Sequence, residues 1–260
     1  MAPTMMTTTT TPEASGDGKG TAPPLKGVER AKKVAIDYAR VLWDYKALLA
    51  AGSVLFGPSA LLSLIPPNLT SLGICSTMLC THGSTMWGIV TSVFLYDSWT
   101  NIPSYFAILI VYAQFSDQLD PIERRRRAKF AAAAMFVAAF VANAFWVHFL
   151  PSTYSWGPSG VVYGLWGVML AYTLFDGMPK SPKGLDPRRW YDGKKERKAA
   201  FGSLAMFAAT AVILTTETSV FLSAGPGINV FVHGVSFMGG YFAAHVYRWA
   251  YGRRPLPWSR

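Results

Sequence analysis

Charged side chains are scarce in this sequence. Asp, Glu, Lys and Arg make up 15% of its 260 residues, whereas about a quarter is usual in a soluble domain. None of them occurs between Ala47 and Tyr96. Long uncharged stretches of this kind are typical of chains that cross a bilayer, so we predict an integral membrane protein.

Crossing a bilayer takes roughly 20 residues in a helix, and six hydrophobic segments are plausible spans. An isolated strand could not satisfy its backbone hydrogen bonds in lipid, so each segment is predicted to be helical. The segments lie near residues 47–65, 101–116, 129–149, 158–176, 199–217 and 228–248. We therefore expect an all-α polytopic membrane protein in which residues 47–250 form a six-span domain.

Positive charge is absent from every second connection between these segments. No Lys or Arg occurs near 66–100, 150–157 or 218–227, and all of them lie before residue 47, at 124–129, at 180–198 or at 248–260. Lys and Arg collect in the cytoplasmic connections of membrane proteins, so this alternation predicts that both termini are cytoplasmic. It also accounts for the net charge of +10, and we predict no nucleic-acid partner.

Residues 72–95 are hydrophobic enough to suggest a seventh span. Such a span would move Arg124–Arg127 to the opposite side from the other basic blocks, so we predict instead a long outer loop that lies partly in the membrane interface. The run Arg124–Arg127 is interpreted as a topology determinant. Binding of anionic lipid headgroups by this run is the weaker alternative.

Cysteine and histidine are also rare. The two cysteines, Cys75 and Cys80, lie in the predicted outer loop, where they either form a disulfide or are two small buried residues. No further cysteine and no cluster of histidines accompanies them at a metal-ligand spacing. We predict neither a metal nor a cofactor.

Both ends of the chain differ from the six-span region. Residues 1–27 are polar and of low complexity, which predicts a disordered cytoplasmic tail. Residues 28–46 alternate basic and apolar side chains, a pattern typical of a basic amphipathic helix that lies on the membrane surface. Residues 251–260 form a short basic cytoplasmic tail.

Two polar residues stand where hydrophobic segments begin on the predicted outer side. Ser159 opens the fourth segment and His233 opens the sixth, so they are expected at similar depth. A serine hydroxyl is a weak nucleophile unless a base lies within hydrogen-bond reach. Taken singly, Ser159 fits a helix N-cap and His233 fits a hydrogen-bonding contact between helices. Asn143 and His148 are expected to solvate or cap the outer end of the third segment.

The spacing of small residues predicts that the fourth and sixth segments pack closely. Glycines recur every three or four residues in the fourth segment, and such stripes let helices approach in membranes. In the sixth segment His233 is followed along one face by small residues. The two series are Gly160, Gly164 and Gly167, and Ser236, Gly240 and Ala244.

Two motifs carry a resemblance to a known family. The stretch Gly157-Pro158-Ser159-Gly160-Val161-Val162-Tyr163 resembles the Gly-x-Ser-Gly-x-x-Tyr segment of rhomboid intramembrane serine proteases. Residues 232–240 resemble the last-helix histidine motif of that family, with His233 and Gly240 in register and Ser236 where a glycine is usual.

The resemblance implies roles for five residues. Ser159 would be the nucleophile and His233 the general base of a dyad without an acid, and Tyr163 would orient His233. Gly160 would supply a backbone N–H to the oxyanion and permit helix packing, and Gly240 would also permit helix packing. The rhomboid-like fold is expected to be a six-helix bundle.

The sequence departs from the family at the start of the second segment. Rhomboids usually offer a histidine and an asparagine four residues apart there, and Asn101 and Tyr105 occupy these positions. Both side chains can donate hydrogen bonds, and the amides of Ser159 and Gly160 at a helix N-terminus can add more. Asn101 is retained as an oxyanion candidate, and Asp117 falls where the family often has a glutamate.

The expected function is that of an intramembrane serine protease in the plasma membrane. Its partners would be the lipid bilayer and transmembrane protein substrates, which it cleaves within or beside their transmembrane segments. The alternative is a rhomboid-like pseudoprotease, catalytically weak or inactive, that binds transmembrane clients without cutting them. A transporter fits less well, because the segments contain few of the buried charges that mark ion pathways.

Overall fold

The computed structural model describes residues 27–62, 86–95, 101–116, 119–149, 157–177, 193–222 and 230–251. Within these ranges the chain forms eight α-helices and no strand, so the all-α prediction is confirmed there. The helices are α1 (Gly27–Asp44), α2 (Lys46–Leu62), α3 (Gly88–Thr91), α4 (Asn101–Phe115), α5 (Pro121–Phe149), α6 (Ser159–Gly177), α7 (Lys194–Leu222) and α8 (Val230–Tyr251). A 3₁₀ turn, Ser92–Phe94, directly follows α3. Cys75, Cys80, Asp117 and nearly all of both predicted tails lie outside the described residues.

The described residues of each of the six hydrophobic segments are mainly helical, in α2 and α4 to α8 in order. Helix α5 has 29 residues and reaches a mean hydropathy of 2.0, and it is the one described helix that is both long and apolar enough to cross a membrane alone. The apolar part of α2, Lys46–Pro58, and helix α4 are shorter apolar helices. Residues 86–95, predicted to be loop, contain α3 and the 3₁₀ turn.

The chain divides into two compact units after Asp37. The described part of the first unit, residues 27–37, is helical and exposed throughout, including its apolar side chains Val28, Val34 and Ile36. Residues 28–46 are predicted to form a helix, and α1 is a helix over Gly27–Asp44. The second unit, from Tyr38 onward, contains the remaining helices.

Within the second unit, α6 packs against α4, α5, α7 and α8. Its contact with α8 is the closest, because two glycines bring backbone against backbone. A Cβ atom on Gly167 would lie 2.0 Å from the Phe237 carbonyl oxygen, and one on Gly240 would lie 2.0 Å from the Gly164 carbonyl oxygen. Any side chain larger than hydrogen at either position would force α6 and α8 apart.

Ion pairs connect the basic run at the start of α5 to Asp44 at the end of α1. Arg124 donates from Nε and Nη2 to one carboxylate oxygen of Asp44, at 2.9 and 2.6 Å. Arg125 donates from Nε to the other oxygen, at 2.7 Å. Asp44 is 5% exposed, so its charge requires these partners. The helix begins at Pro121, before the apolar segment predicted from residue 129.

An ion pair joins α5 to the far end of α6, and a hydrogen bond joins it to the far end of α8. Arg127 donates to Glu123 at 2.9 Å and, through both Nη atoms, to Asp176 at 2.8 and 3.1 Å. The Tyr247 hydroxyl donates to the same Glu123 carboxylate at 3.3 Å. Since α6 begins at Ser159 and ends beside Asp176, these contacts secure the end of α6 that lies furthest from Ser159.

Candidate active site

A tight corner precedes α6. Gly157 has a φ of +109°, a left-handed backbone conformation that favours glycine. Its N–H donates to the carbonyl of Ser92 at 2.9 Å. The Pro158 carbonyl accepts from the N–H groups of Val161 and Val162 at 3.0 and 3.1 Å. Hydrogen bonds therefore fix the corner to Ser92 through Gly157 and to the first turn of α6 through Pro158. Ser159 follows as the first residue of the helix.

The structure brings Ser159 and His233 into hydrogen-bond contact. Ser159 Oγ, on α6, lies 2.8 Å from His233 Nε2, on α8. Ser159 is half-buried and His233 is 9% exposed. In the neutral tautomer with its proton on Nδ1, His233 accepts this hydrogen bond from the serine hydroxyl through Nε2. The pair has the distance that proton transfer between a nucleophile and a base requires.

Tyr163 fixes the plane of the imidazole. Its ring stacks on that of His233 with a centroid separation of 4.3 Å and an interplanar angle of 7°. Tyr163 lies one helical turn after Ser159, so one face of α6 presents both the hydroxyl and the ring to His233. A hydrogen bond at one nitrogen and a stacked ring together restrict rotation of the His233 side chain.

Small residues bring the two helices together beside this pair. A Cβ atom on Gly160 would lie 3.1 Å from Val232 Cγ1 and 3.2 Å from Ser236 Oγ. Ser236 is fully buried, and its hydroxyl has no hydrogen-bond partner within the described part of the chain. Gly240 lies deeper, against the backbone of Gly164. Gly160 thus faces side chains of α8 beside the pair, whereas Gly240 lies where the backbones of α6 and α8 are closest.

The two residues at the expected oxyanion positions differ in their surroundings. Tyr105 is fully buried, and its hydroxyl donates to the carbonyl of Leu48 at 2.5 Å. Its ring covers Gly52, where a Cβ atom would lie 2.8 Å away. Tyr105 therefore packs α4 against α2. Asn101 is the first residue of α4 and is half-buried, and within the described residues it makes no hydrogen bond to Ser159 or His233.

Asn143 is a polar residue whose position the sequence analysis did not foresee. It is 3% exposed rather than solvated, and Nδ2 donates to the Ile89 carbonyl and to Ser92 Oγ, both at 3.0 Å. His148, further along α5, is exposed as expected. An asparagine within an apolar helix is itself the signal that could have marked the position, because a buried amide needs partners.

Comparison of the chain with protein-family models, with curated proteins and with solved structures finds no match. Within the described residues, no group of three or more His, Cys, Asp or Glu side chains could hold a metal ion. The site contains a serine hydroxyl, at the N-terminus of α6, that is hydrogen-bonded to the imidazole of His233 on α8.

Proposed function

We propose that this protein is a rhomboid-type intramembrane serine endopeptidase. It hydrolyses peptide bonds in or near the transmembrane segments of other membrane proteins. The observation that carries the proposal is the 2.8 Å contact between Ser159 Oγ and His233 Nε2. The resemblance of residues 157–163 and 232–240 to the two rhomboid motifs agrees with it, because these motifs contain the same two residues.

The contacts support a two-step acyl transfer. His233 takes the proton from Ser159 as Oγ attacks the peptide carbonyl carbon, and then gives that proton to the leaving amine. Water, deprotonated by the same imidazole, hydrolyses the resulting ester and regenerates the serine. With no acid in the dyad, the Tyr163 ring orients His233 by stacking on it.

The N-terminus of α6 is the main source of donors for the oxyanion. N–H groups in the first turn of a helix have no partner within the helix, and they favour negative charge. The amides of Ser159 and Gly160 belong to that turn and lie next to the reacting hydroxyl. Asn101, at the start of α4, would be a further donor. Each such donor commonly contributes about 3 kcal/mol to the lowering of the barrier.

Apolar outer faces support a location in the membrane. On α8, Met238, Phe242 and Val246 are exposed along one face, whereas the face that carries His233 is buried. Helices α5 and α7 likewise expose large apolar side chains: Val137, Val141 and Phe145, and Phe201, Leu204 and Phe207. Contiguous apolar surface of this kind needs lipid or protein to cover it. We propose six membrane-crossing helices with cytoplasmic termini, in the plasma membrane.

Labelling with a fluorophosphonate probe tests the proposal, because the probe reacts with an activated serine and not with an inert one. We expect the wild type to be labelled and to cleave a single-span substrate. Ser159→Ala and His233→Ala should each abolish both activities. Ser53→Ala is the matched control, since among the residues that the structure describes the Ser53 hydroxyl donates only to Leu49 in its own helix. Cleavage retained in Ser159→Ala would overturn the proposal.

One observation favours the second candidate, a pseudoprotease that binds transmembrane clients. The Tyr105 hydroxyl is already bonded to Leu48, so this position does not offer the donor that rhomboids usually have there. A pseudoprotease would bind a single-span protein, and neither wild type nor Ser159→Ala would react with the probe. Probe reactivity therefore separates the two candidates.

A further inference from the structure

Asn143 is connected to the corner before Ser159 by a continuous path of hydrogen bonds. The path runs from α5 through residues 88–94, which comprise α3 and the 3₁₀ turn, to Gly157. It involves no residue of the proposed dyad, and Gly157 is its one residue from the motifs that suggested the function.

The first step of the path anchors residues 88–94 to α5. A carboxamide has two N–H donors, and Nδ2 of Asn143 reaches both the Ile89 carbonyl and Ser92 Oγ. Both partners are at 3.0 Å, and Asn143 and Ser92 are almost completely buried. Because water is excluded there, loss of the amide would leave buried oxygen atoms without their donor, which is costly.

The second step passes from Ser92 to the corner. The Ser92 side chain accepts from Asn143, and its carbonyl accepts from the Gly157 N–H at 2.9 Å and from the Leu95 N–H at 3.2 Å. Side-chain packing supports the same segment, because Val93 is buried and Phe94 stacks on Phe136 of α5. Ser92 therefore joins a buried amide of α5 to the backbone of Gly157.

The third step concerns the nucleophile. Gly157 adopts a left-handed conformation two residues before Ser159, so its amide direction sets how the chain enters α6. The Ser159–His233 contact depends on that entry. A misplacement of about 1 Å in a catalytic group can cost roughly 100-fold in rate.

We propose that Asn143 is a positioning residue for Ser159, acting through Ser92 and the Gly157 amide. The inference rests on the proposed function for its catalytic consequence, but its structural part stands apart from that function. Asn143 touches neither reacting residue. Its effect is on the alignment of the serine, not on the proton transfer.

Two measurements on the full chain in detergent test this inference. The first is the rate of fluorophosphonate labelling at Ser159, and the second is amide hydrogen exchange at Gly157, which needs no activity. Asn143→Leu removes the amide at similar volume. Ser92→Ala removes the hydroxyl and keeps the carbonyl, and it serves alone if Asn143→Leu does not fold. Thr173→Val is the matched control, since in the described part of the chain buried Thr173 donates only to Leu170 in its own helix.

We expect Asn143→Leu to slow labelling by roughly 10- to 100-fold and to accelerate exchange at Gly157, while Thr173→Val changes neither. Ser92→Ala should change both in the same direction. The double variant should label no more slowly than Asn143→Leu alone, because residues on one path are not additive.

Three results would overturn the inference. The first is a folded Asn143→Leu variant in which the Gly157 amide exchanges at the wild-type rate. The second is a Thr173→Val variant that slows labelling as much as Asn143→Leu does. The third is a double variant, Asn143→Leu with Ser92→Ala, in which the fold-changes of the two single variants multiply. A wild-type protein that is not labelled at all would instead refute the proposed protease function. Exchange at Gly157 would still decide whether Asn143 holds the corner.

Discussion

The rings of Tyr163 and His233 lie almost parallel, 7° apart in orientation and 4.3 Å apart at their centroids. A serine–histidine dyad has no carboxylate to orient the imidazole or to stabilise it when it is protonated. The face of an aromatic ring carries partial negative charge and attracts a cation placed over it. Tyr163 therefore holds the His233 ring in plane, and in the proposed mechanism its ring face would also attract the imidazolium formed by proton transfer from Ser159.

The first prediction follows from this stack. Tyr163→Phe keeps the ring face and should retain catalytic turnover to within a few-fold, whereas Tyr163→Leu should lower kcat by about tenfold or more, since a cation–π contact is worth roughly 1–2 kcal/mol when desolvated. The measurement is kcat for cleavage of a single-span substrate. If kcat fell as far in Tyr163→Phe as in Tyr163→Leu, the hydroxyl of Tyr163, and not the face of its ring, would be the group on which kcat depends.

The second prediction concerns the close approach of α6 and α8. A Cβ atom on Gly240 would lie 2.0 Å from the Gly164 carbonyl oxygen, whereas one on Gly234 would meet nothing within 4 Å. Gly240→Ala should lower the free energy of unfolding by about 1–3 kcal/mol and weaken the Ser159–His233 contact. Gly234→Ala, on the same helix, should be neutral or stabilising by up to about 1 kcal/mol, because alanine favours helix.

Thermal unfolding in detergent and fluorophosphonate labelling check this pair of variants. Both substitutions add one methyl group to α8, so a difference between them reports the contact with α6 alone. Equal stability of the two variants would contradict the close packing of the helices at Gly240.

The sequence predicted much of this arrangement because periodic and local patterns determine it. The described helices α2 and α4 to α8 lie in the six apolar segments that the sequence predicted to be helical. The positions of Ser159 and His233 at the starts of two such segments indicated that they could meet, and they lie 2.8 Å apart. Glycine stripes indicated which helices approach, and Gly164 and Gly240 lie in contact.

Other features depend on pairs of residues that no local pattern links. Asn143 and Ser92 are 51 residues apart, and Asp44 and Arg124 are 80 apart. In each pair the sequence alone suggests a local role for one partner. Asn143 is interpreted from it as a residue that solvates or caps a helix end, and Arg124 as part of a topology determinant. Only the fold shows that both are buried and paired.

The third prediction separates a structural role of the basic run from a purely topological one. Arg127 is 13% exposed and bonds to Asp176, whereas Arg126 is 38% exposed and lies 3.6 Å from Glu123. Arg127→Gln should destabilise the protein by roughly 3 kcal/mol, since it leaves a buried carboxylate without its partner. Arg126→Gln should cost less than about 1 kcal/mol.

Both variants remove one positive charge from the same run, so a topology signal would be weakened equally. Unfolding in denaturing detergent measures stability, and protease accessibility of the termini reports orientation. Equal effects of the two variants on stability would argue against the ion pair between Arg127 and Asp176.

The fourth prediction distinguishes the two residues at the start of α4. If Asn101 donates to the oxyanion, Asn101→Ala should lower kcat by roughly 100- to 1000-fold with little change in KM, because such a donor acts mainly in the transition state. Tyr105→Phe removes a hydroxyl that is bonded to the Leu48 carbonyl. It should lower the free energy of unfolding by about 1 kcal/mol and leave kcat unchanged.

Steady-state cleavage of a single-span substrate and thermal unfolding, measured on the same preparations, give both quantities. A Tyr105→Phe variant that is stable but loses kcat would mean that Tyr105 exchanges its bond to Leu48 for one to the substrate. An Asn101→Ala variant with wild-type kcat would show that Asn101 is not a donor. The backbone amides of Ser159 and Gly160 would then be the donors, because they lie in the first turn of α6 next to the nucleophile and depend on no side chain.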